Sequence, residues 1–210
     1  MTEFKGDQGR WQRRGQPSEL SHHKKSKSRS NHKSWMHRTE ILFTEQIGGY
    51  DKNHFNNKTL IDLGAGSKSR AQWFSGSNII SIEPLADQYK SIHHYDLHKV
   101  GKVYSEPAEK YLEELEDSAD GIICINVLDH CYNAKIIMEN CYKYLKSNGE
   151  FCLSVDLHKG RDDKHPIGFS FTSLKQLIDD VGFQIVRQTD TMPRLYSGNC
   201  SAVTVILKKK

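Results

Sequence analysis

The sequence predicts an α/β fold with a mostly parallel, seven-stranded sheet, helices on both faces and an antiparallel last strand. Three observations support this prediction. Seven short apolar runs recur along the chain, most are separated by helical patterns, and the last two are separated by a loop-like segment with Pro and Gly. Strands that alternate with helices form parallel sheets covered on both faces, whereas neighbouring strands without a helix between them pair as a hairpin.

The first segment, residues 1–32, is predicted to be a disordered basic tail that precedes a folded domain at residues 33–210. The segment is rich in Gly, Gln, Ser, Lys and Arg and nearly free of aliphatic side chains. It therefore lacks the apolar surface that would offset the entropy of ordering. Its stretch HHKKSKSRSNHK contains no acidic residue, so the formal net charge of +4 is concentrated there.

The folded domain is predicted to open with a helix that begins at Ser34, a suitable N-cap, and stops at Gly48-Gly49. The strand-like runs follow in the order TLIDL, NIISIE, KVYS, DGIICINVL, GEFCLSVDL, FQIVRQ and SAVTVIL. Helical patterns lie between them at residues 85–92, 107–116, 133–146 and 172–181. In such a sheet, ligands bind at the carboxyl ends of the parallel strands.

Composition argues against several classes of protein. The cysteines are odd in number and none forms a Cys-x-x-Cys pair, which predicts reduced, mostly buried thiols at Cys124, Cys131, Cys141, Cys152 and Cys200. No apolar run reaches the roughly 18 residues that span a bilayer, and the N-terminus lacks a signal-peptide pattern, so we expect a cytoplasmic protein. The run HHYDLH at residues 93–98 has no second ligand cluster, so we expect no metal.

The segment TLIDLGAGSKSR combines an acidic strand end, Asp62, with a loop that contains Gly64, Ala65 and Gly66. Glycines let the backbone approach a ligand, and Glu83 ends the next strand at about the 20-residue spacing at which an acid reaches ribose hydroxyls. A carboxylate at the loop repels a pyrophosphate but attracts a cationic sulfonium or amino group. The loop therefore favours S-adenosylmethionine over a dinucleotide.

Three motifs resemble those of the class I S-adenosylmethionine-dependent methyltransferases, which have a Rossmann-like fold. LIDLGAGS is similar to the glycine motif of that family, IISIEPLADQY to its second acidic strand end, and INVLDHCYNAKIIMENCYKYLKSNGEFCLSV to its fourth strand, helix and fifth strand. PLADQY and NVLDH are most similar to a subgroup associated with polysaccharide biosynthesis genes. The resemblance covers roughly residues 58–185, but Lys68 replaces a glycine that is common in the family.

The resemblance implies a role in cofactor binding for each matching residue. Asp62, Gly64 and Gly66, with Ala65 between the glycines, would hold the methionine end, and Glu83 would bind the ribose hydroxyls. The other matches are Pro84 and Leu85 beside the adenine, Ala108 and Glu109 near its amine, and Asn126 beside the sulfonium.

Asp129 and His130, just after the fourth strand, are predicted to be the catalytic residues. A hydroxyl acceptor must lose a proton, and a histidine with a near-neutral reference pKa is suited to take it. Asp129 can instead cap a helix or contact the cofactor, and His130 can equally be a packed structural group. Asp156 and His158, after the fifth strand, are the other positions for a base, and the polar link at residues 161–171 can form a lid.

We expect an enzyme that methylates an oxygen, less readily a nitrogen, of a sugar, glycan or small metabolite. One alternative is an RNA or other nucleic-acid methyltransferase that uses the basic tail, and another is a non-catalytic cofactor-binding or scaffold protein. Enzymes that methylate base amines usually carry an Asn/Asp-Pro-Pro-aromatic run where this chain has NVLDH, and a Pro-Cys nucleophile is also missing. The tail is therefore expected to make only weak contacts with nucleic acid or anionic surfaces.

Overall fold

The computed structural model describes residues 4–158, 162–190 and 201–210. Their sheet has the strand order β3-β2-β1-β4-β5-β7-β6. The strands are β1 Thr59–Leu63, β2 Asn78–Ile82, β3 Gly101–Tyr104, β4 Ala119–Ile125, β5 Leu145–Leu157, β6 Phe183–Asp190 and β7 Ser201–Lys209. Strand β7 runs antiparallel to β5 and β6, and the pairs among β1 to β5 are parallel. The predicted fold class, including the antiparallel last strand, is confirmed.

Helices cover both faces of this sheet. The α-helices are Gln8–Arg10, Gln16–Lys25, Lys27–Ser30, His32–Ile41, Ala86–Tyr89, Leu97–Val100, Ala134–Tyr144 and Phe171–Val181. Two π-helical segments, Trp11–Gly15 and Leu42–Gln46, continue neighbouring α-helices, and the 3-10 turns are Ala71–Trp73, Glu113–Leu115 and Leu128–His130. None of the helices in the described ranges has the length and apolar character needed to cross a membrane.

The core consists of two apolar layers, one on each face of the sheet. On one face, the helices Ala134–Tyr144 and Phe171–Val181 bury side chains such as Ile137 and Leu177 against β4 and β5. On the other face, Phe43 and Trp73 pack in a cluster that covers β1. The cysteines at 124, 131, 141 and 152 are free and buried, as predicted, whereas Cys200 lies outside the described residues.

Two predicted helices differ from those observed. The helix expected from Ser34 begins at His32, because Asn31 is the N-cap and its Oδ1 accepts the Ser34 N–H at 3.0 Å. The helix expected at residues 107–116 is reduced to the 3-10 turn Glu113–Leu115. Its backbone groups bond to side chains of a neighbouring helix instead: the Leu112 N–H donates to Tyr144 Oη at 2.8 Å, and an Asn140 amide donates to Ala108 O at 2.9 Å.

The segment predicted to be a disordered tail is helical and packs on the domain. Trp11 and His23 are buried, and the Trp11 indole packs against Tyr132 with ring centroids 5.0 Å apart. The backbone near the start of the segment also joins the domain, since Phe4 O accepts the Ala134 N–H at 3.1 Å. The composition of the segment did not indicate these contacts because they depend on a few aromatic rings and backbone hydrogen bonds rather than on aliphatic residues.

Candidate functional site

The glycine loop after β1 is shaped by two left-handed glycines. Gly64 and Gly66 both have φ of 65°, a conformation that side chains with a Cβ rarely adopt. A Cβ on Gly64 would lie 2.5 Å from Val127 Cγ2, and one on Gly66 would lie 2.4 Å from His23 Cε1. These two positions therefore favour glycine, and without side chains the loop backbone faces a cavity directly.

Asp62 organises this loop from within. Its side chain is buried, and its Oδ2 accepts hydrogen bonds from Ser69 Oγ at 2.5 Å, Arg70 N at 2.9 Å and Ala71 N at 3.2 Å. Burial raises the pKa of Asp62, and the bonds from Ser69 and the backbone oppose that rise. Asp62 thus accepts N–H groups where the turn Ala71–Trp73 starts, and the same residue also lines the cavity.

Lys68 takes the place of a glycine without opening the loop. The side chain is only 5% exposed, and its ammonium pairs with Asp96 Oδ2 at 3.3 Å. The histidine run at residues 93–98 is partly buried at the same place, since the buried His94 has its Nε2 3.0 Å from Ser67 Oγ. The lysine and the histidine run thus stabilise the outer side of the glycine loop.

Glu83 joins the end of β2 to the glycine loop. Its Oε2 accepts the Gly66 N–H at 2.8 Å, and its Oε1 accepts the Leu85 N–H at 2.9 Å. Burial raises the pKa of this carboxyl to about 7, against the lowering effect of the two backbone bonds. Each carboxylate oxygen retains acceptor capacity for a second donor such as a ribose hydroxyl.

The opposite wall is formed by the segments after β3 and β4. Glu109 Oε1 accepts the N–H groups of Tyr132 and Asn133 at 2.8 and 3.1 Å, which fixes the chain beyond β4. Asn126, at the end of β4, has a φ of 59°, an uncommon value for a residue other than glycine. Such backbone strain is concentrated at functional sites.

These walls enclose one cavity of about 700 Å³. The structure brings every predicted cofactor-binding residue to its lining: Asp62, Gly64, Ala65, Gly66, Glu83, Pro84, Leu85, Ala108, Glu109 and Asn126. His130 also lines the cavity, whereas Asp129 is fully buried behind it. A volume of this size lies within the range of small-molecule and cofactor sites.

A polar cluster forms the end of the cavity beyond β4 and β5. Asp129 Oδ2 lies 3.7 Å from His130 Nε2 and 3.4 Å from His158 Nε2. The ring of His165, from the link before the helix Phe171–Val181, is 4.6 Å from the ring of His130 between centroids. Asp156 lines the cavity beside them. The cluster thus unites the predicted catalytic pair with both alternative positions and with His165, which sequence reasoning did not select.

The charges around His130 determine its protonation. Its burial favours the neutral imidazole, but Asp129 and Glu19, whose Oε1 is 3.4 Å from His130 Nδ1, raise the pKa of His130 to about 9. Burial likewise opposes ionisation of Glu19, yet its contact with His130 lowers the pKa of Glu19 to about 2. At neutral pH the imidazole therefore carries a proton, and it must lose this proton before it can act as a base.

Residues of the first segment cover the cavity, which the sequence analysis did not predict. Trp11, Glu19 and His23 line the cavity, and the Trp11 indole N–H donates to His130 O at 2.6 Å. His23 Nδ1 accepts the Ser67 N–H at 3.1 Å, and burial lowers the pKa of His23 to about 3, so its ring is neutral. The available signal was Trp11, a large aromatic residue in a segment that otherwise reads as solvated.

Comparisons with known proteins agree with this geometry. A family model described as a methyltransferase domain matches residues 61–153. The ubiquinone biosynthesis O-methyltransferase of Rickettsia akari (strain Hartford) is 27% identical over 115 residues, which cover 53% of this chain and 45% of that protein. The chain therefore spans less than half the length of this relative.

Solved structures share the fold at low sequence identity. The 1,6-didemethyltoxoflavin N1-methyltransferase of Burkholderia thailandensis, crystallised with S-adenosylhomocysteine, has a TM-score of 0.58 at 16% identity, with 92% of this chain and 90% of that chain covered. The cyclase SpnF has a TM-score of 0.62 at 12% identity, with 84% and 81% covered. Residues 61–153 thus resemble a methyltransferase domain, and the Rossmann-like sheet of this chain is shared with a methyltransferase that was crystallised with S-adenosylhomocysteine.

Proposed function

We propose that the whole chain is an S-adenosylmethionine-dependent methyltransferase that methylates an oxygen of a small acceptor. The observation that supports this is the continuity of the cavity, which runs from the glycine loop to the polar cluster around His130. One end suits an adenosine and a cationic methionine, and the other end suits a polar acceptor. Both substrates can therefore meet within one enclosed space.

The proposed cofactor contacts follow from the lining of the cavity. Gly64, Ala65 and Gly66 present backbone to the methionine end, whose charge is complementary to Asp62. Glu83 accepts bonds from the ribose hydroxyls. Pro84 and Leu85 border the adenine, Ala108 and Glu109 lie on the facing wall, and Asn126 borders the sulfonium.

Methyl transfer places modest chemical demands on the protein. The acceptor oxygen attacks the methyl carbon in line with the sulfur, the carbon–sulfur bond breaks, the acceptor loses one proton, and S-adenosylhomocysteine leaves as a neutral thioether. Holding the two reactants in line accounts for most of the acceleration in such a reaction. We assign His130 to contact the acceptor and Asp129 to hold the imidazole, because His130 lines the cavity and Asp129 lies directly behind it.

The nature of the acceptor is proposed from two sources. The relative from Rickettsia akari is an O-methyltransferase by name, which supports oxygen as the methylated atom, whereas the Burkholderia enzyme is named for a nitrogen. The motifs PLADQY and NVLDH favour a sugar or glycan acceptor. The cytoplasmic location and the weak nucleic-acid contact expected from the basic segment remain predictions from sequence.

A non-catalytic, cofactor-binding protein is the second candidate. The likeness to SpnF, a cyclase by name, illustrates that one fold supports unrelated functions, so the fold by itself does not establish methyl transfer. The test is to incubate the protein with S-adenosylmethionine and to measure S-adenosylhomocysteine, first alone and then with pooled sugar nucleotides, small hydroxyl compounds or RNA. An enzyme gives acceptor-dependent product that disappears in Glu83→Ala. Binding of the cofactor without any turnover across the pools would instead favour the non-catalytic protein.

A further inference from the structure

Three potential metal ligands from two separate parts of the chain converge at the end of the cavity beyond β4 and β5. Asp129 and His130 belong to the turn Leu128–His130 after β4, and His165 belongs to the link that follows β5. One ligand atom from each of the three lies within 4.8 Å of the other two. One ion with bonds of about 2.0 to 2.2 Å to nitrogen and oxygen holds neighbouring ligand atoms about 3 to 3.5 Å apart, so the three side chains must move closer together to bind it.

The Asp129 carboxylate has the surroundings of a cation ligand. It is fully buried, and within the described part of the chain its ion-pair partners are the imidazoles of His130 and His158 rather than a Lys or Arg. Its Oδ1 is buried and accepts no hydrogen bond from any described residue. A buried carboxylate is costly unless a charge or a set of donors compensates it. The unused acceptor position on Oδ1 is one that a cation beside Asp129 would fill.

The neighbouring groups hold these side chains in a suitable orientation. The Trp11 indole N–H donates to His130 O, and the Ile167 N–H donates to Asp129 O at 3.4 Å, so both chain segments are fixed. Glu19 faces His130 Nδ1 at 3.4 Å, which leaves Nε2 directed toward Asp129. Histidines that bind metals commonly present their second ring nitrogen to a carboxylate in this way.

We propose that Asp129, His130 and His165 bind one divalent transition-metal ion, of the kind represented by Zn²⁺, Mn²⁺ or Fe²⁺. Two imidazole nitrogens with one carboxylate suit such ions better than Mg²⁺ or Ca²⁺, which prefer oxygen ligands. Three protein ligands leave at least one coordination position open toward the cavity. This site differs from the expectation of no metal, which considered only the run HHYDLH.

The role of the ion rests on the proposed function, whereas its binding does not. An acceptor hydroxyl that coordinates the ion has a lowered pKa and loses its proton to solvent more readily. The resulting oxygen then takes the methyl group from the sulfonium. With the ion bound, the acceptor hydroxyl can lose its proton without a side chain that acts as a base.

The test is direct metal binding by the full chain, without cofactor or acceptor. The protein is stripped with a chelator and titrated with Co²⁺, whose visible absorption reports nitrogen and oxygen coordination, and then with Zn²⁺ and Mg²⁺ by calorimetry. The variants are His165→Ala and His130→Ala, and the matched control is His37→Ala, because His37 is 70% exposed and lies far along the chain from the cluster. Melting curves in chelator verify that each variant is folded, and Asp129→Asn serves as a further ligand variant.

We expect saturation at one equivalent of Co²⁺ or Zn²⁺, with Mg²⁺ bound at least about 100-fold more weakly. Removal of either histidine should weaken binding by about 10-fold to 100-fold or more, and His37→Ala should bind as the wild type does. Absence of saturable binding would overturn the proposal, as would wild-type affinity in folded His165→Ala and His130→Ala. A parallel titration with S-adenosylhomocysteine separates the two proposals, because a failed metal site leaves cofactor binding intact.

Discussion

Cofactor affinity should depend on the ionisation of Glu83. Burial raises the pKa of its carboxyl to about 7 in the ligand-free protein, and ribose hydroxyls donate only weakly to a protonated carboxyl. Below pH 7 the Glu83 carboxyl is mostly protonated, and raising the pH through about 7 produces the carboxylate that accepts the ribose hydroxyls. Affinity for S-adenosylhomocysteine should therefore rise with pH.

The size of the effect follows from the fraction of ionised Glu83. With a pKa near 7, about one tenth of the carboxyls are ionised at about pH 6 and about nine tenths at about pH 8, so affinity should rise about tenfold across this interval. The assay is calorimetry at several pH values in buffers of matched ionic strength. Glu83→Gln keeps the shape and one acceptor oxygen but cannot ionise, and it should show weaker binding without this tenfold rise.

Comparing the wild type with Glu83→Gln isolates the contribution of Glu83 to the pH dependence, because any titration of the ligand itself affects both proteins equally. Glu139→Gln is the control, since Glu139 belongs to the helix Ala134–Tyr144, is 46% exposed and pairs with Lys135 outside the cavity. It should retain the pH dependence of the wild type. An equal pH dependence in Glu83→Gln, or a flat profile in the wild type, would refute the assignment of Glu83 to the ribose.

Three further predictions follow from the same cavity. Removing residues 1–30 should lower the melting temperature and weaken cofactor binding, because the glycine loop loses its contact with His23 and the His130 carbonyl loses its hydrogen bond from Trp11. A truncated protein with unchanged melting temperature and affinity would show that this segment does not cover the cavity. Asp62→Ala should weaken S-adenosylhomocysteine binding by about 1 to 3 kcal/mol in calorimetry, since the loop loses its buried acceptor. His130→Ala should lower turnover on the true acceptor by about 100-fold or more with nearly unchanged cofactor affinity, and near-normal turnover would make this histidine structural.

The strands along the chain and the glycine-loop end of the cavity could be predicted from sequence because their determinants are local. Apolar runs bounded by turns define each strand, and a strand end followed by Gly64 and Gly66 specifies a loop with little freedom. Glu83 could be placed opposite that loop because β1 and β2 are parallel neighbours in register, with Leu63 beside Ile82. Local patterns thus sufficed where neighbouring strands bring the residues together.

The acceptor end could not be predicted in the same way, because it depends on contacts between distant segments. His165 meets His130 only after the link beyond β5 folds back over the cavity, and Glu19 reaches His130 from the first segment. The prediction of a helix at residues 107–116 was wrong for a related reason, since hydrogen bonds with the side chains of Asn140 and Tyr144 replace the bonds within a helix. Tertiary hydrogen bonds outweighed local propensity there.

The most direct test of the account is a calorimetric titration of the full chain with S-adenosylmethionine, S-adenosylhomocysteine and NAD. Asp62 at the glycine loop and Glu83, which we propose binds the ribose, predict one saturable site for the first two ligands and none for NAD. Glu83→Ala should weaken the binding of both adenosyl ligands by about 1 to 3 kcal/mol. Tight binding of NAD, or wild-type affinity for S-adenosylmethionine in Glu83→Ala, would contradict the assignment of this cavity to a methyl donor.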